Sequence, residues 1–295
     1  MFALPLLLMS LSTAEASVDP KCEGKTQKFE DDLDQQQFIL NYVALSTSFS
    51  PIHAPKPLAE STTAAGLEFS LIPPLSCEQR LVLNSTKTED TNKVPVMPRP
   101  RFTFTLPTQG KALVPYGSFA FLPPVPLGGV RTLLLSSEIG FGIERKSGTQ
   151  YGSRFHVTSV RTIGEVATPF NEEDEPAEDI YVGSTFGLDI MFGKKLASGL
   201  TPYLALGLTD VSTFFYIGDD GYVGNNYDPF FGPVTSLGAD KSAGNWNFAG
   251  ELYAVPGLTY VPPSFASQEH PEYCGWHFTP GGYVYTVRLR VSYVF

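Results

Sequence analysis

Apolar and polar positions alternate one by one along most of this chain, the period of a β-strand with two unlike faces. In the segment "YTVRLRVSYVF", Tyr285, Val287, Leu289, Val291, Tyr293 and Phe295 alternate with Thr286, Arg288, Arg290, Ser292 and Val294. Leu67, Phe69 and Leu71 flank Glu68 and Ser70, and Phe102, Phe104 and Leu106 flank Thr103 and Thr105. Farther on, Leu133, Leu135, Ile139, Phe141 and Ile143 oppose Ser136, Glu138, Gly140, Gly142 and Glu144. Phe186, Leu188, Ile190 and Phe192 oppose Thr185, Gly187 and Asp189, while Phe248 and Leu252 oppose Asn247 and Glu251. The pattern predicts strands near 37–49, 62–72, 76–84, 101–106, 112–122, 130–145, 151–163, 181–193, 200–217, 231–240, 246–256 and 279–295. That makes twelve, or ten if 17–61 stays outside the sheet and Leu81 to Leu83 is loop.

A soluble sandwich and a membrane barrel both alternate in this way. The polar face decides between them. It carries charge of both signs (Glu68, Arg101, Glu138, Arg154, Asp189, Glu251, Arg288, Arg290) among many Gly, Ser and Thr. A soluble sheet more often puts long Lys and Glu on its wet face. Aromatic residues stand at the strand ends, Tyr283 and Tyr285 at one and Tyr293 and Phe295 at the other. At a tilt near 45°, a strand from Tyr285 to Phe295 rises about 25 Å, the height of an outer-membrane apolar band. The expected fold is therefore an all-β, antiparallel, up-and-down transmembrane β-barrel with the eight charges facing its lumen.

Loop parity supports an even strand count. Short turns are expected at "PPL" 73–75, "PTQGK" 107–111, "KSGTQ" 146–150, "KKLASG" 194–199 and "KSAGN" 241–245. Longer connections fall at 85–100, 164–180, 218–230 and 257–278, with a short Pro-rich link at 123–129.

Composition adds boundaries. Gly 27 and Pro 25, with aromatic 13% and charged 17%, favour strands and turns over helices. Hydrophobic content is 42%, yet no apolar run reaches the ~20 residues of a spanning helix. A net charge of -10 excludes a phosphate-binding surface, so no nucleic-acid partner is expected. "FALPLLLMSL" followed by Ala14-Glu15-Ala16 reads as a signal peptide over 1–16, although no Lys or Arg precedes it. Residues 17–36 then read as a polar periplasmic lead-in and 37–295 as the barrel.

The last strand resembles the C-terminal β-signal of bacterial outer-membrane β-barrel proteins. Its residues are Val287, Leu289, Val291, Tyr293 and Phe295. The resemblance implies an outer-membrane location and contact with lipid, lipopolysaccharide and the barrel assembly machinery. It names no subfamily.

Candidate chemistry is sparse. "QEHPEYCGWH" sets His270, Cys274 and His277 among Glu269 and Glu272, a weak zinc-type set. "GDDGYVGNNYD" offers Asp219, Asp220, Asn225, Asn226 and Asp228 as oxygen ligands for calcium, without the spacing of a known calcium loop. The acidic run Glu172, Glu173, Asp174, Glu175, Glu178 and Asp179 reads as solvated. His156 with Ser136 and Ser159 lacks any nucleophile motif, so no enzyme and no cofactor are expected. Cys22 and Cys77 share the expected periplasmic side, bonded or as two free thiols, and Cys274 lies outside. The functional expectation is a passive pore for small solutes with a narrow charged lumen. The alternative is a plugged barrel with a structural or surface-interaction role.

Overall fold

The computed structural model describes residues 18–108, 112–165, 178–217, 221–224, 230–261, 274–278 and 282–295. Ten strands form its wall: β1 Thr63–Leu71, β2 Val96–Thr105, β3 Leu113–Leu127, β4 Val130–Glu144, β5 Thr149–Gly164, β6 Asp179–Lys194, β7 Leu200–Ile217, β8 Phe230–Ala243, β9 Trp246–Val255 and β10 Val284–Val294. Each pairs antiparallel with the next, and β10 pairs back onto β1 from Ala64↔Val294 to Leu71↔Val287. The sheet is thereby a closed barrel, which removes its edges. The N–H of Phe295 donates to Thr63 O at 2.8 Å, so the last residue is tied into the first strand.

Ten strands replace twelve because two of the expected strands are something else. Residues 37–47 belong to helix α1, Asp32–Thr47, and 48–49 follow its end inside the barrel. Residues 76–84 hold a one-turn helix, Cys77–Arg80, and half of a two-residue ladder, Leu81–Val82 on Lys87–Thr88. Both lie outside the wall. "PPL" at 73–75 is accordingly part of one long connection, 72–95, and not a turn between strands. The Pro-rich link at 123–129 continues β3, and only Gly128 and Gly129, both at positive φ, make the turn to β4. Such φ values are what a two-residue hairpin needs.

One end of the barrel carries the tight turns after β4, β6 and β8 and the connection after β2, together with the start of β1 and the end of β10. The other end carries 72–95, the β3–β4 turn and the long connections after β5, β7 and β9. Here these are called the turn end and the loop end.

The two faces of the wall follow the alternation. Leu289 is 50% exposed and Arg288 is 0% exposed, one residue apart on β10. Phe102, Phe104, Phe155, Phe186, Leu188, Phe248 and Leu252 point outward in the same sense. At the turn end the Tyr293 ring lies 5.2 Å from both Trp246 and Phe295, an aromatic cluster. At the loop end Tyr283 stacks on Tyr285. Aromatic rings at both rims of an apolar band are the girdles of a membrane barrel.

The interior holds the chain's own N-terminal part. Asp31 caps α1 by accepting from Leu33 N at 2.6 Å, and Asp32 and Asp34 sit at the positive end of its dipole. The helix then enters the barrel from the loop end. Phe38, Ile39, Tyr42 and Leu45 pack against Val211, Phe230, Val234 and Tyr253 of the wall, and Leu40 against Val160 and Tyr181. From Phe38 onward the helix is mainly apolar, because most of its circumference meets the inner face of the wall. From Ser48 the chain runs on, buried to Pro55, and reaches the turn end before β1 starts. Gly142 permits that passage, since a Cβ there would meet Pro55 O.

Residues 18–31 lie at the loop end, opposite the side expected for a periplasmic lead-in. Cys22 and Cys77 form a disulfide there, tying this segment to the 72–95 connection across 55 residues of sequence. Within the same connection Gln27 N donates to Ser85 Oγ at 2.7 Å and Asn84 N to Asp32 Oδ1 at 2.9 Å. Replacing both cysteines by Ser should cost about 4 kcal/mol through loop-closure entropy. Equal urea midpoints for the double variant and the oxidised parent would contradict a structural role for this bond.

One stretch of wall is not sealed. The β2–β3 ladder joins Arg101–Thr105 to Tyr116–Ala120 and stops there. Toward the loop end, 96–100 pairs only with β1 and 121–127 only with β4. Five prolines occupy these facing edges: Pro98, Pro100, Pro123, Pro124 and Pro126. Proline has no N–H to give to a ladder, so it belongs at edges and open seams.

Candidate functional site: the occupied lumen

The site is the contact between the wall and the chain that threads it. Where α1 ends, its last carbonyls lack intrahelical partners and carry the negative end of the dipole. The helix has no basic residue in its last turn. The wall supplies the cations instead. Arg288 of β10 donates to Ser46 O at 3.2 Å and Ser48 O at 2.5 Å, and Arg99 of β2 donates to Thr47 O at 3.1 Å. Arg154 of β5 reaches Phe49 O at 2.7 Å, and Arg101 of β2 reaches Ser50 O at 3.1 Å. Five consecutive carbonyls, 46 to 50, are thus held by four guanidinium groups from three strands. The Phe49 ring lies under Arg101 at 4.1 Å and Arg99 at 5.0 Å, which adds cation–π contact.

Carboxylates complete the collar. Glu68 of β1 binds Arg99 and, at 3.2 Å, Arg101. Glu138 of β4 accepts from Arg101 and Arg154, each at 2.5 Å, and meets His53 Nε2 at 3.0 Å. Asp189 of β6 accepts from Arg154 Nε at 2.7 Å. Lower down, Glu251 of β9 accepts from Ile52 N and from Tyr203 Oη, both at 2.8 Å. Arg290 donates to Asp240 at 3.3 Å and to Asn247 at 2.6 Å. Five buried arginines (99, 101, 154, 288, 290) therefore face five buried carboxylates (68, 138, 189, 240, 251). Buried ions are tolerable only when paired and hydrogen-bonded, and this set balances in number.

All eight sequence-predicted charges, Glu68, Arg101, Glu138, Arg154, Asp189, Glu251, Arg288 and Arg290, lie on the inner face. Arg288 and Glu251 face each other across β9 and β10 but make no ion pair. Each turns inward to the threaded chain, Arg288 to backbone carbonyls and Glu251 to a backbone N–H. Strand order alone gives no sign of a third partner. Arg99, Asp240 and His53 were missed. Arg99 continues the inward parity of Arg101, but two flanking prolines disguised the strand.

His156 faces inward with Nε2 3.7 Å from Asp189 Oδ2, while Ser136 bonds to Arg99 and Thr158 and Ser159 points outward. These three do not form a nucleophile–base pair. Among the described residues no three metal-ligating side chains converge. Asp219, Asp220, Asn225, Asn226 and Asp228 lie outside the described residues, as do His270, Glu269, Glu272 and residues 172–175. Cys274 is a free, exposed thiol, and Glu178 pairs with Arg131 at 2.6 Å. At the loop end the backbone N–H of Lys21 donates to Asp19 and holds its carboxyl below the usual range.

No protein-family model and no curated protein matches the chain. Among solved structures, the translocator domain of autotransporter NalP from Neisseria meningitidis is 10% identical over 80% of this chain and 89% of that one, with a TM-score of 0.45. Neisserial surface protein A is 10% identical over 79% and 95%, TM-score 0.31. The P. putida toluene transporter TodX is 9% identical over 96% and 99%, TM-score 0.32. Likeness at this level assigns no function. The closed antiparallel wall with its apolar, aromatic-rimmed exterior is nonetheless that of an outer-membrane-type β-barrel of no identified subfamily.

Proposed function

We propose that this protein works in the bacterial outer membrane as a plugged barrel, closed to ions in this state, that presents residues 18–31 and its long connections at the cell surface. The observation that carries the reading is the buried run 44–55 inside the wall, with its carbonyls gripped by four arginines. A bore filled by backbone leaves no continuous water path, and a balanced charge set leaves no field to select ions. The passive-pore reading requires the threaded segment to leave.

Purified protein in a planar bilayer should be silent. A variant lacking 38–58 should conduct, and Arg99→Ser with Arg101→Ser, which keeps the chain but loosens its grip, should give intermittent openings. Steady conductance steps from the intact protein would overturn the plugged reading. Surface presentation has its own check. Long connections of such barrels face outward, so Cys274 should react with a membrane-impermeant maleimide on intact cells. Labelling only after the outer membrane is broken would reverse the orientation.

A further inference from the structure

The loop-end half of the lumen is apolar, and α1 does not fill it. Between one side of the helix and β2, β4, β5 and β6 lies a cavity of 210 Å³. Ile39 and Val43 of the helix face Met97, Val130, Val160 and Tyr181 of the wall across it. Residues of the 72–95 connection roof it, with Lys87, Glu89 and Lys93 among the lining groups. A cavity of about 150 Å³ lined by Leu, Ile and Phe is known to stay dry and to take up benzene. This one is larger and partly open, and its surface is mainly apolar, with charged and hydroxyl groups of the 72–95 connection and the wall at its border.

Its place beside the open seam gives it a second distinguishing feature. Met97, Ile72 and Val94 line the cavity and also pack with Leu122, Leu134 and Leu127 in the cluster behind the β2–β3 seam. No ladder hydrogen bond crosses the wall there, because pairing stops at Arg101 and Ala120. Side chains alone therefore separate the cavity from the outside of the barrel at this level. Side chains change rotamer far faster than a sheet opens its ladder.

We propose that this cavity is a binding site for a small apolar molecule, of the size of one or two fused rings or a short alkyl chain, seated behind Met97. Hydrophobic transfer supplies the driving force, and the mainly apolar surface of the cavity sets the ligand class, with the hydroxyls of Ser46, Thr91, Thr132 and Thr162 at its border. The site lies above the charged collar and does not require the plug to move, so it is independent of the closed-pore reading.

The protein offers its own reporter and control. Apart from Met1 and Met9 in the expected signal peptide, its methionines are Met97 and Met191, and Met191 is buried in a separate cluster with Tyr203 and Ala205. Full-length protein carrying ¹³C-methyl methionine in nanodiscs should show a saturable shift of the Met97 resonance with naphthalene and no shift of Met191. Val43→Trp, which fills the cavity from the helix side, should abolish the Met97 shift while the Met191 position shows that the barrel is folded. Octane in place of naphthalene separates the two shapes: a saturable Met97 response to octane alone assigns the site to alkyl chains, and a response to naphthalene assigns it to rings. Equal, non-saturable shifts of Met97 and Met191 with both probes, or a Met97 shift that survives Val43→Trp, would overturn the site.

Discussion

Glu138→Ala should destabilise the barrel by about 3–5 kcal/mol, the cost of removing one partner from a buried ionic set. Glu138 is fully enclosed and is shared by Arg101, Arg154 and His53. Arg101 keeps Glu68 and Arg154 keeps Asp189, so neither guanidinium is orphaned. The balance is lost all the same, with five arginines left against four carboxylates. His53 loses the contact that fixes the threaded chain below the collar. The exposed pair Arg131–Glu178 provides the comparison, since Glu178→Ala should cost no more than about 1 kcal/mol. Urea unfolding followed by the gel shift of folded against heat-denatured protein would measure both. Similar small losses for Glu138→Ala and Glu178→Ala would mean that the collar is solvated, and that the lumen is not packed as described.

The wall was legible in the sequence because two solvents write on it. Lipid demands apolar residues on one face and the lumen tolerates charge on the other, so β10 alternates without a break. The threaded helix was not legible for the opposite reason. "FILNYVALSTSFS" from Phe38 to Ser50 is enclosed by apolar wall, an apolar cavity and arginines, so it shows no polar face and no helical period. A short apolar run of that kind does not distinguish strand from helix. The start signal was present in Asp31, Asp32 and Asp34, where acids cap and favour a helix N-terminus. The same uniform environment hid the extension of β2 back to Val96 and of β3 on to Leu127. There the inner face turns apolar to meet the cavity and the 72–95 connection, and prolines replace the alternating pattern. What the sequence does encode about the collar is its inventory of charges. The partners escape it, since carbonyls of residues 46–50 are the same in every sequence.

Leu289→Arg and Arg290→Leu, neighbours on β10, should both destabilise, but for different causes that a second substitution separates. Leu289 stands 50% exposed on the outer face, where an arginine near the bilayer midplane costs about 2–4 kcal/mol. Arg290→Leu acts on the other face of the strand. Arg290 is buried against Asp240 and Asn247, and its removal leaves the Asp240 carboxylate enclosed without its cation, which costs about 3–5 kcal/mol. Replacing both members of such a pair by apolar residues is often close to neutral. Arg290→Leu with Asp240→Leu should therefore recover most of the loss, whereas Asp240→Leu added to Leu289→Arg should only deepen it. Unfolding in vesicles of defined lipid length, where the penalty at Leu289 depends on bilayer depth and that at Arg290 does not, reads out both. Recovery of Leu289→Arg by an inward substitution, or none of Arg290→Leu by Asp240→Leu, would show that the two faces of β10 are not those assigned.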